Sequence, residues 1–173
     1  MKQRITFLYS YFVRILLFLL PDITIFMRFR GWLYGFGMKK CGKDIQVAHN
    51  VIFQRLEKMS LGSHIYFGTG VIQLGGGELT IEDEVPIGPH CIIVSGNHTR
   101  LNRSFFYGKG VRDNIKICKG SWVAGNCTIT KGSVLPAGSV LAANSVLNKA
   151  FSEEDCVYGG CPAKLLKHYN SNE

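Results

Sequence analysis

Three features of the sequence predict a mostly β chain, wound as a solenoid of triangular cross-section with parallel strands. Aliphatic residues recur every six positions, small residues follow them four positions later, and the 20 glycines are spread through the chain instead of clustered. The rhythm is clearest from Ile117 onward, through Val123, Ile129, Leu135, Leu141 and Leu147, with Ser121, Cys127, Ser133, Ser139 and Ser145 in the plus-four places. It is present earlier, with interruptions, as Val47 and Phe53, Leu61 and Phe67, then Ile81, Ile87 and Ile93. Their plus-four partners are Val51, Ile65, Val71, Val85 and Cys91. A period of six fits neither an α-helix nor a half-buried strand. It fits a coil in which each flat side takes six residues and three sides make one turn. The aliphatic residue then points into the narrow interior, the small residue sits near the corner, and stacked turns pair their backbones in parallel sheets. Dispersed glycine suits the repeated tight turns of such a coil.

Before the solenoid lies a segment of different character. Residues 1–43 carry eight basic side chains (Lys2, Arg4, Arg14, Arg28, Arg30, Lys39, Lys40, Lys43) against the single acid Asp22, and the remainder holds 12 basic and 11 acidic residues. A uniformly basic surface would suit nucleic acid; a basic, apolar N-terminus on a near-neutral body suits an anionic membrane surface. Phe7, Leu8, Tyr11, Phe12, Ile15, Leu16 and Leu19 fall at helical spacing and predict one broad apolar helix face. A second helix is predicted over 23–34, before Gly35 and Gly37. Arg14 interrupts the apolar stretch, and Pro21 with Asp22 ends its first half, short of the ~20 clean apolar residues of a membrane span. Three placements stay open for it. It can pack on the solenoid's open end or a neighbouring subunit, lie in a membrane interface, or act as a span or uncleaved signal anchor.

Six cysteines raise the question of disulfides or zinc. No C-x-x-C pair is present and no secretory cleavage site is recognisable, which points to a reduced, cytoplasmic chain. Cys91 and Cys127 occupy plus-four places and read as small buried residues. The domain layout is a helical segment over 1–40, a solenoid over 41–168 with a protruding loop at about 95–114, and a tail over 169–173. The loop is inferred from the rhythm itself. After Ile93 the next aliphatic place would be position 99, yet the rhythm resumes at Ile117, and the intervening residues are polar, basic and aromatic. Long interruptions of a regular solenoid often carry function.

The run Trp122, Val123, Ala124, Gly125, Asn126, the stretch over 132–140 (GSVLPAGSV) and the closing Gly160, Cys161, Pro162, Ala163, Lys164 resemble the hexapeptide-repeat acetyltransferases. The likeness spans roughly 41–168 and includes the polysaccharide, xenobiotic, galactoside and maltose branches. It implies a left-handed parallel β-helix with N-terminal helices and a short C-terminal helix. It also implies a homotrimer with active sites between subunits, acetyl-CoA as co-substrate and no metal. His98, in the segment Ser95, Gly96, Asn97, His98, Thr99, Arg100 at the mouth of the loop, matches the family's general base. A sugar hydroxyl is a poor nucleophile while protonated, and histidine titrates in the range that suits its activation. For the cofactor, the resemblance implicates Trp122, the coil backbones at Ala124, Gly125, Ala142 and Ala143, and the basic residues Lys149, Lys164 and Lys167.

One departure concerns the acceptor. Sugar-acetylating relatives often carry an acceptor-binding Asn on the coil before the His segment, where this chain has Gly70. Asn97, Arg100, Tyr107 and Gln73 remain as candidate acceptor contacts. The preferred expectation is an O-acetyltransferase acting on a bacterial surface polysaccharide or its lipid-linked precursor, at the cytoplasmic face of the inner membrane. An antibiotic-type or other small-acceptor acetyltransferase is the alternative. A zinc enzyme resembling the γ-class carbonic anhydrases would need His49, His64 and His90 to converge. A non-catalytic scaffold would share the same stacking surface. Nucleic acid is not an expected partner.

Overall fold

The protein is described by a computed structural model, covering residues 2–169; the predicted tail beyond Tyr169 lies outside the described residues. The chain winds as predicted. The first turn holds β1 (Ile45–Val47), β2 (Ile52–Phe53) and β3 (Met59–Leu61), and the second β4 (Ile65–Phe67), β5 (Ile72–Leu74) and β6 (Leu79–Ile81). The third begins with β7 (Pro86–Ile87) and β8 (Ile92–Val94), leaves the solenoid as a hairpin of β9 (Gly96–His98) and β10 (Gly110–Arg112), and returns as β11 (Ile115–Ile117). Next come β12 (Trp122–Val123), β13 (Thr128–Thr130) and β14 (Val134–Leu135), then β15 (Val140–Leu141) and β16 (Val146–Leu147). The pair β17 (Cys156–Gly159) and β18 (Lys164–His168) closes the chain.

The strands stack into three parallel sheets, ordered β1-β4-β7-β12-β15-β17, β2-β5-β8-β13-β16 and β3-β6-β11-β14. Their register turns the six-residue rhythm into three interior ladders. Val47, Phe67, Ile87, Val123 and Leu141 form the first. Phe53, Gln73, Ile93, Ile129 and Leu147 form the second. Leu61, Ile81, Ile117 and Leu135 form the third. All fourteen are at most 2% exposed, so the period reports burial directly. The plus-four residues are buried too, and their smallness has a polar use. The Ser121 hydroxyl donates to the Pro136 carbonyl at 2.6 Å, and Ser133 donates to the Leu147 carbonyl at 2.9 Å. Cys91 and Cys127 are buried free thiols, as expected. The two breaks in the rhythm are local: a 3-10 turn at Leu56–Lys58 lengthens one corner, and the glycine run 75–77 another.

Two expectations need correction. The short C-terminal helix is instead β18, running antiparallel to β17. The last parallel strand presents an unpaired edge, and the returning chain satisfies its backbone groups. Gln73 fills a ladder position at 1% exposure, and its side-chain carbonyl accepts the Arg55 backbone N–H at 3.2 Å. It braces a corner from inside and offers nothing to an acceptor in solvent.

The N-terminal segment forms α1 (Lys2–Leu17) and α2 (Thr24–Gly35). Both pack on the open end of the first turn. Helix α2 lies on β1, where Gly31 sits against the Ile45 carbonyl, and Tyr34 meets Phe53 edge-on at 5.1 Å. Helix α1 is inverted relative to a simple amphipathic reading. Thr6, Ser10, Val13 and Leu17 face the solenoid, and the Ser10 hydroxyl donates to the Phe53 carbonyl at 2.6 Å. The predicted apolar face points outward. The link between the helices is strapped down by buried Arg30, which bonds Asp22 at 2.8 Å and the carbonyls of Val47 and Leu20. Burial alone would push the Asp22 carboxyl up, but hydrogen bonds from the His49 ring and backbone, with the pull of His49 and Arg30, hold it below its ordinary value.

Candidate active site

The hairpin at the break in the rhythm carries the site. Its two strands pair antiparallel, with His98 opposite Gly110, Asn97 opposite Val111 and Gly96 opposite Arg112. At its base Ser95 is buried and its hydroxyl donates to the Gly77 carbonyl at 3.1 Å, while the Asp113 N–H reaches the Ser95 carbonyl at 3.2 Å. Gly77 is required there, because a Cβ would overlap the Asp113 carbonyl. The glycine run on the preceding turn therefore makes room for the insertion. Its tip, from Thr99 to Lys109, turns through Asn102 and Arg103, both with positive φ. Arg100 and Tyr107 stand exposed on this tip and do not line the groove at its base.

His98 is exposed, and its imidazole makes no hydrogen bond with any described residue. Its backbone N–H donates to the Asn97 side-chain oxygen at 2.8 Å, which occupies Asn97 locally. The ring borders a groove of about 920 Å³. One wall is the hairpin, including Asn97, Val111 and Arg112, and the floor is Gly75 and Gly76 with Gln54 and Arg55. The opposite wall is the first two turns of α1: Gln3, Arg4, Phe7 and Leu8. None of these helix residues stood out as a site residue in the sequence, because nothing in their spacing tells which part of the solenoid they will reach. A smaller cavity of about 320 Å³ lies on another side of the hairpin base and brings Asn97 near Lys131 and Asn148.

The residues implicated in cofactor binding lie elsewhere. The hairpin rises from the corner between the β8 and β11 sheets, whereas Ala124 and Gly125 follow β12 at the corner leading into β13. Ala142 and Ala143 sit one turn above, at the corner between β15 and β16. This edge is built from closely stacked backbone. A Cβ on Gly88 would come within 2.8 Å of both the Ala124 carbonyl carbon and the Gly125 nitrogen. Trp122, at 49% exposure, presents a ring on the neighbouring sheet face. Lys149 lies with its ammonium 4.9 Å above the Phe151 ring, and Lys167 holds the same distance from Tyr169. Lys164 opens β18. None of these residues lines the His98 groove.

The histidines of the zinc alternative do not assemble. His49 pairs with Asp22 at 2.8 Å, His64 with Asp44 at 3.1 Å, and His90 takes a left-handed corner position. Among the described residues, the one converging group of metal-ligand types is Glu153, Cys156 and His168, which includes none of the three. Cys156 Sγ lies 3.2 Å from His168 Nδ1, across the β17–β18 pair.

Fold and geometry together define a class: a parallel β-solenoid with a hairpin-borne histidine, the same fold as solved hexapeptide-repeat acetyltransferases and consistent with their left-handed β-helix. Among solved structures, the chain is similar to a hexapeptide-repeat-containing acetyltransferase of Vibrio cholerae complexed with acetyl-coenzyme A. The TM-score is 0.82 at 23% identity, over 97% of this chain and 89% of that one. It is similar to a maltose O-acetyltransferase of Clostridium difficile 630, with a TM-score of 0.84 at 22% identity, over 98% and 89% of the two chains. A galactoside acetyltransferase in complex with coenzyme A gives a TM-score of 0.85 at 19% identity, over 98% and 84%. No family model and no curated protein matches the sequence.

Proposed function

We propose that the chain is an acetyl-CoA-dependent O-acetyltransferase, acting on a sugar hydroxyl of a surface polysaccharide or its lipid-linked precursor. The observation that carries this reading is His98. A histidine whose ring makes no hydrogen bond with any described residue projects from the hairpin inserted in the solenoid, over a groove large enough for a sugar. The solved structures with this fold include proteins complexed with acetyl-CoA or CoA, and maltose and galactoside acetyltransferases. The six free cysteines support a reducing compartment, and we assign the reaction to the cytoplasm.

The chemistry follows from the parts. A ring nitrogen of His98 accepts the acceptor's hydroxyl proton as that oxygen attacks the thioester carbonyl carbon. The C–O bond forms, negative charge passes to the carbonyl oxygen, and backbone N–H groups stabilise it. Collapse breaks the C–S bond, and the imidazolium returns its proton to the CoA thiolate. No acyl-enzyme is needed.

The separation of His98 from the Trp122 edge within one chain calls for a second copy. In a trimer the hairpin corner of one subunit faces the small-residue corner of the next, and the site is complete only between them. Mixing two inactive variants tests this. His98→Ala lacks the base, and Ala143→Trp fills the exposed cofactor edge with an indole. Co-refolded in equal amounts, they are expected to regain about a quarter of native turnover, because random mixing reunites intact corners at that frequency. Recovery no greater than the sum of the separate variants would contradict the composite site.

A further inference from the structure

We infer that the outward face of α1 is a docking surface for an anionic lipid bilayer, and that it holds the His98 groove against that bilayer. The acceptor is then a membrane-anchored anionic amphiphile that presents its hydroxyl from the lipid surface. The acceptor half of this inference rests on the transferase reading; the lipid contact does not.

The first observation is the inversion of α1. A helix lying on a globular body normally turns its large apolar side inward. Here the inward side is Thr6, Ser10, Val13 and Leu17, and the outward side includes Leu8 at 64%, Phe12 at 61%, Ile15 at 56% and Leu16 at 61% exposure. An exposed apolar surface on this scale marks an interaction site. The charge of the helix selects the occupant. Its sequence, KQRITFLYSYFVRILL, contains no acidic residue and carries Arg4 and Arg14 among its aromatic and aliphatic side chains. Basic residues interleaved with aromatic ones suit the headgroup level of an anionic membrane. The helix is tied to the solenoid along its inner side through buried Thr6, Ser10, Val13 and Leu17, so it meets a bilayer lengthwise. No helix among the described residues is long and apolar enough to cross a membrane.

The second observation joins this face to the site. Phe7 and Leu8 wall the His98 groove, so the apolar surface runs from outside the protein to the reacting position. Arg4, Arg55 and Arg112 also line the groove, and no carboxylate of the described residues does. Arg55 is paired with Glu57 at 2.7 Å, whereas neither Arg4 nor Arg112 has a carboxylate within ion-pair distance among the described residues. A groove with two uncompensated guanidinium groups and an apolar wall suits a phosphate-bearing headgroup with a hydrocarbon chain.

Vesicle flotation with the full chain tests the inference, using phosphatidylcholine vesicles with and without phosphatidylglycerol. The native chain is expected to float with the anionic vesicles and to be released by salt. Substituting Phe12→Glu, Ile15→Glu and Leu16→Glu together is expected to lower partitioning at least about tenfold. These side chains face outward, so circular dichroism and acetyl-CoA affinity should match the native chain. The single change Arg14→Glu is expected to lower partitioning into anionic vesicles about tenfold and to leave neutral vesicles unaffected. A native chain that stays with the sediment for both vesicle types overturns the inference, as does a triple variant that floats like the native chain. A triple variant that changes the oligomeric state also overturns it, by assigning the face to a second copy. Vesicle binding without acetyl-CoA binding would count against the transferase reading and leave the lipid contact standing.

Discussion

Replacing His98 with alanine is expected to reduce acetyl transfer about a thousandfold, within the range that a positioned general base contributes, while acetyl-CoA affinity stays within about twofold of native. The asymmetry follows from where the residue sits. His98 lies on β9 at the hairpin base, and its ring makes no hydrogen bond with any described residue, so its removal leaves no buried group among them without a partner. Its backbone pairing with Gly110 does not depend on the side chain. Nor does His98 touch the stacked corner of Ala124, Gly125, Ala142 and Ala143, where the thioester arm would lie. Steady-state turnover measured beside an acetyl-CoA titration separates the two effects. Retained turnover would remove His98 from the chemistry, and a parallel loss of affinity would make its role one of binding.

Gly88→Val is expected to cost about 3 kcal/mol of stability, through overpacking where no side chain can move aside. Gly88 follows β7 and lies directly beneath the backbone of Ala124 and Gly125 on the next turn, so the atoms a Cβ would meet are main chain. The solenoid can admit the methyl groups only by spreading two turns, which loosens backbone bonds such as Gly88 N–H to the Val123 carbonyl at 2.7 Å. The same spreading would distort the corner proposed for the cofactor, so acetyl-CoA binding should weaken even where the variant remains folded. Denaturant unfolding provides the measurement. An unchanged midpoint would mean that the turns are not stacked this closely.

Some of this was legible in the sequence and some was not, for physical reasons. The ladders were legible because a narrow interior admits one side chain per side of each turn. Burial therefore writes itself as strict periodicity from Ile117 to Leu147. The hairpin was legible as an interruption, and its strands fall inside the predicted loop. The sense of α1 was not legible. Helical periodicity identifies an apolar side but not which side meets the protein, and the close approach of Ser10 to the Phe53 carbonyl needed a small residue inward. Gln73 misled because a polar residue in a ladder looks like one free to bind a ligand until its amide is seen to brace the Arg55 backbone. The groove wall of Arg4, Phe7 and Leu8 joins residues about ninety positions from His98, a proximity created by tertiary packing alone. Strand β18 replaced the expected helix because the edge of β17 required a partner.

The most direct measurement is a calorimetric titration of the folded protein with acetyl-CoA. Binding in the micromolar range at one per chain, weakened by Ala143→Trp and unaffected by His98→Ala, is the result expected of an acetyl-CoA-dependent transferase with its cofactor on the small-residue edge. A folded protein that releases no heat and binds no acetyl-CoA would contradict it.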